Sequence, residues 1–346
     1  MRCIICGKKT DNERCTVCGF DASKCPELYP TFSKGMGFDE AIWEYRERCW
    51  SNHCSIAPAI PLESVHNERI VVNPLNKSIA AMQDNVLGVS SDGTILTAGL
   101  DRLEFTEVNS AISVAAGSKH SVCLLSDGKV IARGDNSVGQ CNVQHWSGIK
   151  SVAAGGFHTV GLRDDGTVVG CGALWADQSF TASWQNELMT WKDIVYIDAG
   201  RYHTVGIRAD GSAVACGSNG SGECNVYEWK NVLSIAGGYA FSIGLCSDGT
   251  IVKTGVPFKN DGFFDNKYTA IAAGTWYAVA LKEDGTVAVA GNGVEKENGI
   301  QYWKDVISVT AGDGVVFGLR KDGSVLVAGK DISYFRKVKK WRLRIP

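Results

Sequence analysis

The stretch AAGGFHTVGLRDDGTVVGCG, from Ala153 to Gly172, returns nearly unchanged as AGRYHTVGIRADGSAVACG, from Ala199 to Gly217. Each copy holds two short alternating apolar runs, HTVGLR and TVVGCG in the first, on either side of Asp-Gly. Alternation with a period of two marks strands with one buried face. Asp-Gly between such runs is a hairpin turn, because glycine accepts the positive φ the turn requires. A third strand reads upstream, in IKSVAAG, VLSIAGG and TAIAAG.

Moving outward, x-Asp-Gly ends at Gly93, Gly128, Gly166, Gly211, Gly249, Gly285 and Gly323, in steps of 35, 38, 45, 38, 36 and 38 residues. A period of about 38 residues with three or four strands per unit describes a propeller or a solenoid. Tails such as GDNSVGQCNVQHW and GSNGSGECNVYEW are expected to add a short fourth strand. No unit buries its apolar face alone, so neighbours must stack, and seven units suit a closed ring. NKSIAAM at Asn76 begins a unit without a preceding tryptophan segment, while VKKWRLRIP at the C-terminus supplies such a segment with no unit after it. The two ends are expected to meet in one seam and so remove two exposed strand edges. The expected fold is all-β, a seven-bladed β-propeller over residues 76–346.

The repeat spelling, AAG-x-x-His-Ser/Thr, a strand, Asp-Gly, a strand ending in glycine and then Gly-Gln, resembles the regulator of chromosome condensation family. The fullest copies are AAGSKHSVCLLSDGKVIARGDNSVGQ and AAGGFHTVGLRDDGTVVGCG, with AGRYHTVGIRADGSAVACGSNGSGE close behind. The resemblance spans Ser78 to Pro346 and implies a seven-bladed propeller. The last three units depart from it, since GGYAFS, GTWYAV and GDGVVF lack the histidine, and the first reads AMQDNV. Relatives of this fold include a guanine-nucleotide exchange factor for a small GTPase that works through an inserted wedge. No segment here matches that wedge, so the activity is not carried over.

Composition bounds the rest. The chain has 346 residues, 45% hydrophobic, with 40 glycines, 7 prolines and a net charge of −2. Such a balance sets up no global field for nucleic acid or membrane. No apolar run approaches the ~18 residues of a membrane span, and the start MRCIICGKKTDN lacks a signal-peptide core. A cytoplasmic location is expected, with the thirteen cysteines as thiols or metal ligands. Cys3, Cys6, Cys15 and Cys18 form C-x2-C-x8-C-x2-C, a spacing that can close a tetrahedral structural Zn2+ site with no open catalytic position. The expected layout is a zinc ribbon over 1–24, then a short helix and linker over 25–75. DEAIWEYRERCW reads as that helix with Asp39 at its N-cap, and SIAPAIPLESVHNE as the linker. Cys25, Cys49, His53 and Cys54 are irregularly spaced, and a second metal site there stays open.

Catalytic signatures such as G-x-S-x-G, the P-loop and H-E-x-x-H are missing from the sequence. His120, His158 and His203 share one repeat position, which points to a structural bond, for example to a neighbouring backbone carbonyl. The chain is expected not to be an enzyme. More informative are residues that break the repeat. The second position after the AAG glycine is occupied, unit by unit, by Asp84, Lys119, Phe157, Tyr202, Tyr239, Trp276 and Gly314. Four consecutive blades thus present aromatics along one face, either for a partner or for packing on the next loop. The 45-residue step carries ALWADQSFTASWQNELMTW, where Trp175, Phe180 and Trp184 either recognise a partner or fold back over the blade edge. From Lys330 onward the tail has seven Lys/Arg and one Asp, which suits phosphate contacts or a charged edge strand.

The expected function is a non-enzymatic scaffold, a monomeric ring that binds an unidentified protein through loops on one face, with no membrane contact. The alternatives are nucleic-acid association through the ribbon and basic tail, or nucleotide exchange on a small GTPase. The low net charge weighs against nucleic acid, as do residues 1–50, which carry eight charges of each sign.

Overall fold

The computed structural model describes residues 77–345 except 84, 100–104, 106, 175–180, 257–262, 264–265, 293–298 and 330–331. The chain divides into Met1–Glu68 and Arg69–Pro346. Cys3, Cys6, Cys15, Cys18, Cys25, Cys49, His53 and Cys54 lie outside the described residues, as do Trp175 and Phe180.

Residues 79–99, 111–134, 149–172, 194–217, 232–255, 270–291 and 306–329 each form a three-stranded antiparallel sheet in sequential order. The inner strand of every sheet contacts the inner strand of the next, and that of the seventh contacts that of the first. The seven sheets are therefore blades of a closed propeller. Their hairpins follow the expected turn chemistry. In the third blade, Gly166 N–H donates to the Arg163 carbonyl at 3.0 Å, Gly166 adopts φ +81°, and the Asp165 carboxylate accepts from the Thr167 N–H at 2.9 Å. Asp92, Asp127, Asp210, Asp248, Asp284 and Asp322 accept the same backbone bond two residues on. This is the local side-chain bond that makes Asp a turn residue.

Seven buried clusters lie among the described residues, each shared by two neighbouring blades. Five centre on a repeated apolar-x-x-Trp segment. The N–H groups of Trp146, Trp191, Trp229, Trp303 and Trp341 donate to the carbonyls of Val143, Leu188, Val226, Ile300 and Val338, three residues back. One such turn places the apolar residue and the indole on the same side. The indole then lies on the middle strand of the following blade, above a glycine. A Cβ on Gly161 would stand 2.8 Å from Trp146, and one on Gly318 2.8 Å from Trp303. Two seams lack the tryptophan, and there the glycine is replaced as well. Phe105 shares a cluster with Cys123, and Phe263 and Tyr268 share one with Ala280. A single-ring side chain leaves room for the small group that an indole excludes, so the pair keeps its volume.

The tails differ from expectation. No blade has a fourth strand among the described residues, because the apolar-x-x-Trp turn occupies that place. The C-terminal segment is likewise no long edge strand. It forms short 3-10 turns at Ile332–Phe335 and Val338–Lys340, then two isolated bridges, Ser324 to Arg342 and Ser90 to Leu343. The Leu343 N–H donates to Gly323 in the last blade at 2.9 Å, and the Arg344 N–H to Val89 in the first at 2.8 Å. Trp341 and Leu343 cover Gly88. The chain end thus fills the one seam whose tryptophan segment the first unit lacks, as its two incomplete termini imply.

Candidate functional site

Each inner strand ends in a short loop on one face of the ring, and the middle strand starts directly after it. The loop on this face gives the next blade a backbone bond. The Gly156 N–H donates to Arg201, Arg201 to Gly238, Tyr239 to Thr275, and Asp313 to Gln83. The third strands exit beside the same loops, so that Ala173 donates to Phe157, Ser218 to Tyr202 and Asn292 to Trp276. The loop positions are therefore fixed in space by backbone, which leaves their side chains free to vary.

Phe157, Tyr202, Tyr239 and Trp276 form one unbroken row. Phe157 and Tyr202 stack at 6.4 Å between ring centroids, Tyr202 and Tyr239 meet edge to face at 5.4 Å, and Tyr239 and Trp276 lie tilted at 4.5 Å. Tyr202 is buried, Phe157 and Tyr239 are half-buried, and Trp276 is 42% exposed. Each ring packs on its neighbour, as the packing reading expects, and the row still reaches solvent at Trp276. Arg201, a residue that sequence reasoning did not single out, sits at its middle. Its guanidinium carbon lies 5.5 Å from the Tyr202 ring centre and 5.3 Å from that of Tyr239. Its Nε donates to the Tyr202 hydroxyl at 3.0 Å. With the Gln83 amide oxygen facing it, Gln83 accepts from the two terminal nitrogens at 2.7 and 3.3 Å. Gln83 belongs to the first blade and Arg201 to the fourth, so this contact crosses the axis. The repeat register held the clue: Arg201 aligns with Gln83, Ser118, Gly156, Gly238, Thr275 and Asp313, and is the one cation of that column.

Below the mouth runs a cavity of about 280 Å³, lined largely by inner-strand alanines such as Ala80, Ala115, Ala154 and Ala272. A second bond crosses it, Lys77 Nζ to Asp198 Oδ1 at 2.5 Å, again from first blade to fourth. Burial works against the Lys77 charge, but Asp198, with a smaller contribution from Tyr196, holds its pKa above the ordinary value. Asp198 also accepts from the Gly237 N–H at 3.1 Å.

The three repeated histidines stand behind the loops, between blades. His120 Nε2 lies 2.9 Å from the Thr159 hydroxyl, His158 Nε2 3.1 Å from that of Thr204, and His203 Nε2 2.9 Å from that of Ser242. Thr159 and Ser242 donate onward to the carbonyls of Gln140 and Glu223, both at 2.7 Å. Their hydroxyl protons are thereby committed, so His120 and His203 must carry a proton on Nε2. The histidine bonds a neighbour's hydroxyl, and the hydroxyl bonds the carbonyl, rather than the direct carbonyl bond expected. Burial lowers the pKa of His120 to about 4, His158 to about 3 and His203 to about 4. The pairing persists where residues change. Asn85 donates to the Ser121 hydroxyl at 2.7 Å. Tyr277 reaches past to the carbonyls of Gly312 and Val315, at 3.0 and 2.9 Å. Phe241 packs with Ala278, and Val315 with Val86.

Of the inserted-loop aromatics, Trp184 is corrected. It lies on the α-helix Thr181–Met189, 1% exposed, in the core shared by the third and fourth blades. Its ring meets His158 edge-on at 5.0 Å, and a Cβ on Gly170 would come within 2.6 Å of it. It therefore presents no surface to a partner. Among the described residues no group of His, Cys, Asp and Glu is placed to hold a metal, and no helix is long and apolar enough to cross a membrane.

Three of the units, residues 111–140, 149–173 and 194–223, match the family model of the regulator of chromosome condensation (RCC1) repeat. Among solved structures, the chain is similar to the CRINKLY WD40 ectodomain of the Arabidopsis thaliana receptor kinase ACR4. That likeness has 18% identity, covers 73% of this chain and 95% of that one, and has a TM-score of 0.62. It is similar to yeast RCC1 (Prp20) bound to Kap60, with 16% identity over 84% and 90% of the two chains and a TM-score of 0.56. Prp20p from Saccharomyces cerevisiae gives 17% identity over 76% and 84%, with a TM-score of 0.52. Likeness at this level establishes the fold. No curated protein matches the sequence.

Proposed function

We propose that this chain, a propeller built of regulator of chromosome condensation (RCC1) repeats, is a non-enzymatic scaffold that takes a partner protein on its aromatic loop face. One observation carries the reading: four rings in consecutive blades run unbroken across a backbone-fixed face and end in a solvent-exposed tryptophan. Aromatic anchors on a rigid base lose little freedom on binding, and such residues dominate interface energies. The histidines offer no general base to a substrate, being buried, neutral and bonded between blades. The binding of Gsp1p and histones studied for Prp20p supports a macromolecular partner for rings of this type. A zinc-held head is part of the proposal on the spacing of Cys3, Cys6, Cys15 and Cys18, as is a cytoplasmic, monomeric ring.

The test replaces Phe157, Tyr239 and Trp276 by alanine together. Capture of the native partner is expected to fall sharply, with the melting temperature nearly kept. Equal capture would remove this face from the function. Metal analysis of the full chain separately checks the head, where stoichiometric zinc lost in a Cys3→Ser, Cys6→Ser variant is expected.

A further inference from the structure

The row of rings carries a single cation. Loop residues 155–157, 200–202, 238–240 and 274–276, with the strand exits 172–174, 217–218, 255–256 and 291–292, contain one charged residue, Arg201. Elsewhere on the same face the charges are mixed, with Lys119, Asp135 and Asp313. Arg201 is also pre-positioned. Its guanidinium carbon lies 5.5 and 5.3 Å from the Tyr202 and Tyr239 ring centres, and its Nε is held by the Tyr202 hydroxyl, so little freedom remains to lose on binding.

What occupies its fork is informative. With the Gln83 amide turned so that its oxygen faces the guanidinium, the two terminal nitrogens converge on that one neutral oxygen. Gln83 holds φ +49° in the two-residue turn between the paired Met82 and Asn85, which fixes its backbone and leaves its side chain to meet the guanidinium. The fork thus meets a neutral acceptor where the guanidinium geometry fits a carboxylate. A carboxylate brings a full negative charge and two oxygens that match the fork, where the amide offers one neutral oxygen, so an incoming carboxylate can displace this oxygen.

Resting on the scaffold reading above, we propose that the aromatic row binds a peptide segment of the partner in which an Asp or Glu side chain, flanked by apolar residues, enters the Arg201 fork. The apolar neighbours lie along Trp276 and Tyr239 on one side and Phe157 on the other. The Gln83 amide is the built-in competitor for the same donors.

Short random peptides displayed as N-terminal fusions on a phage coat protein, which offer no free C-terminal carboxylate, are selected on the full-length chain. Enriched clones are expected to carry Asp or Glu between Phe, Leu, Ile or Trp. Changing that acid to its amide, or Arg201→Gln, should weaken binding by about tenfold, as expected for a charged hydrogen bond. Arg201→Lys keeps the charge without the fork and should lose an intermediate amount, and matched melting temperatures confirm that each variant is folded. Clones that depend on Phe157, Tyr239 and Trp276 but are neutral or basic, or ignore Arg201, overturn the acidic segment while leaving the face as a binding site. Free C-terminal peptides outcompeting internal acids would overturn it in favour of a chain terminus. If no selected clone depends on the three aromatics, the face itself falls, and this inference with it.

Discussion

Two sets of aromatic residues repeat around this ring, and their fates differ. The seam tryptophans Trp146, Trp191, Trp229, Trp303 and Trp341 each lie on a middle-strand glycine of the next blade and are largely buried. The loop aromatics Phe157, Tyr202, Tyr239 and Trp276 recur in only four blades, touch each other, and reach solvent at Trp276. A position imposed by packing has a partner residue that changes with it, as Cys123 and Ala280 do where the indole is missing. A loop position has only the backbone to satisfy, so its side chain is free to serve something else. The comparison separates what holds the ring together from what the ring presents.

The largest effect is expected at a seam. Trp303→Ala should cost about 3–5 kcal/mol of unfolding free energy, the range for a buried large aromatic, read by urea denaturation. The volume match can be tested further. Trp303→Phe and Gly318→Ala should each destabilise, one by a gap and the other by a clash at 2.8 Å. Together they imitate the sixth-blade pairing and should recover at least ~1 kcal/mol as a positive coupling. Strict additivity would show that the glycine and the indole are not matched.

Next in size is the response to acid. The folded pKa values of His120, His158 and His203 lie below the ordinary 6.5. Between 6.5 and those values the unfolded chain binds more protons than the folded ring, so stability falls as pH drops through that window. Each histidine contributes a loss of roughly 2 kcal/mol by about pH 5. Burial raises Glu187 to about 7, so the folded state holds its proton more tightly and offsets one histidine's share over the same range. His158→Gln should make the pH dependence shallower, and Glu187→Gln should make it steeper. Unchanged slopes in urea unfolding between about pH 7.5 and 5 would sever the seam histidines from acid lability. Smallest is the stability cost on the loop face, where Trp276→Ala should change unfolding by less than about 1 kcal/mol while lowering partner capture. A loss as large as that of a seam tryptophan would erase the distinction between the two sets.

Much of the fold could be read from the chain itself. The x-Asp-Gly spacing gave the seven hairpins, because a tight turn needs a specific φ and a specific side-chain bond, both of them local. The unpaired tryptophan segment at the C-terminus gave the closing seam. The fourth strand was misread, because Val-x-x-Trp alternates weakly enough to pass for a strand until both residues must face one neighbour. Trp184 was misplaced for a related reason: its insertion breaks the repeat in sequence, yet its indole fills the core over Gly170. The aromatic row is legible as a column of aligned residues, whereas Arg201 stands in a column of mixed character that announces no common role.

The sequence alone determined the number of blades, their turns and the order of their strands, since those rest on contacts between residues near each other in the chain. Tertiary structure decided which side chains meet across the axis and between blades: Lys77 with Asp198, Gln83 with Arg201, each histidine with the next blade's hydroxyl. Those partners lie from 39 to 121 residues apart. Ring closure brings them together, and no local pattern encodes that distance.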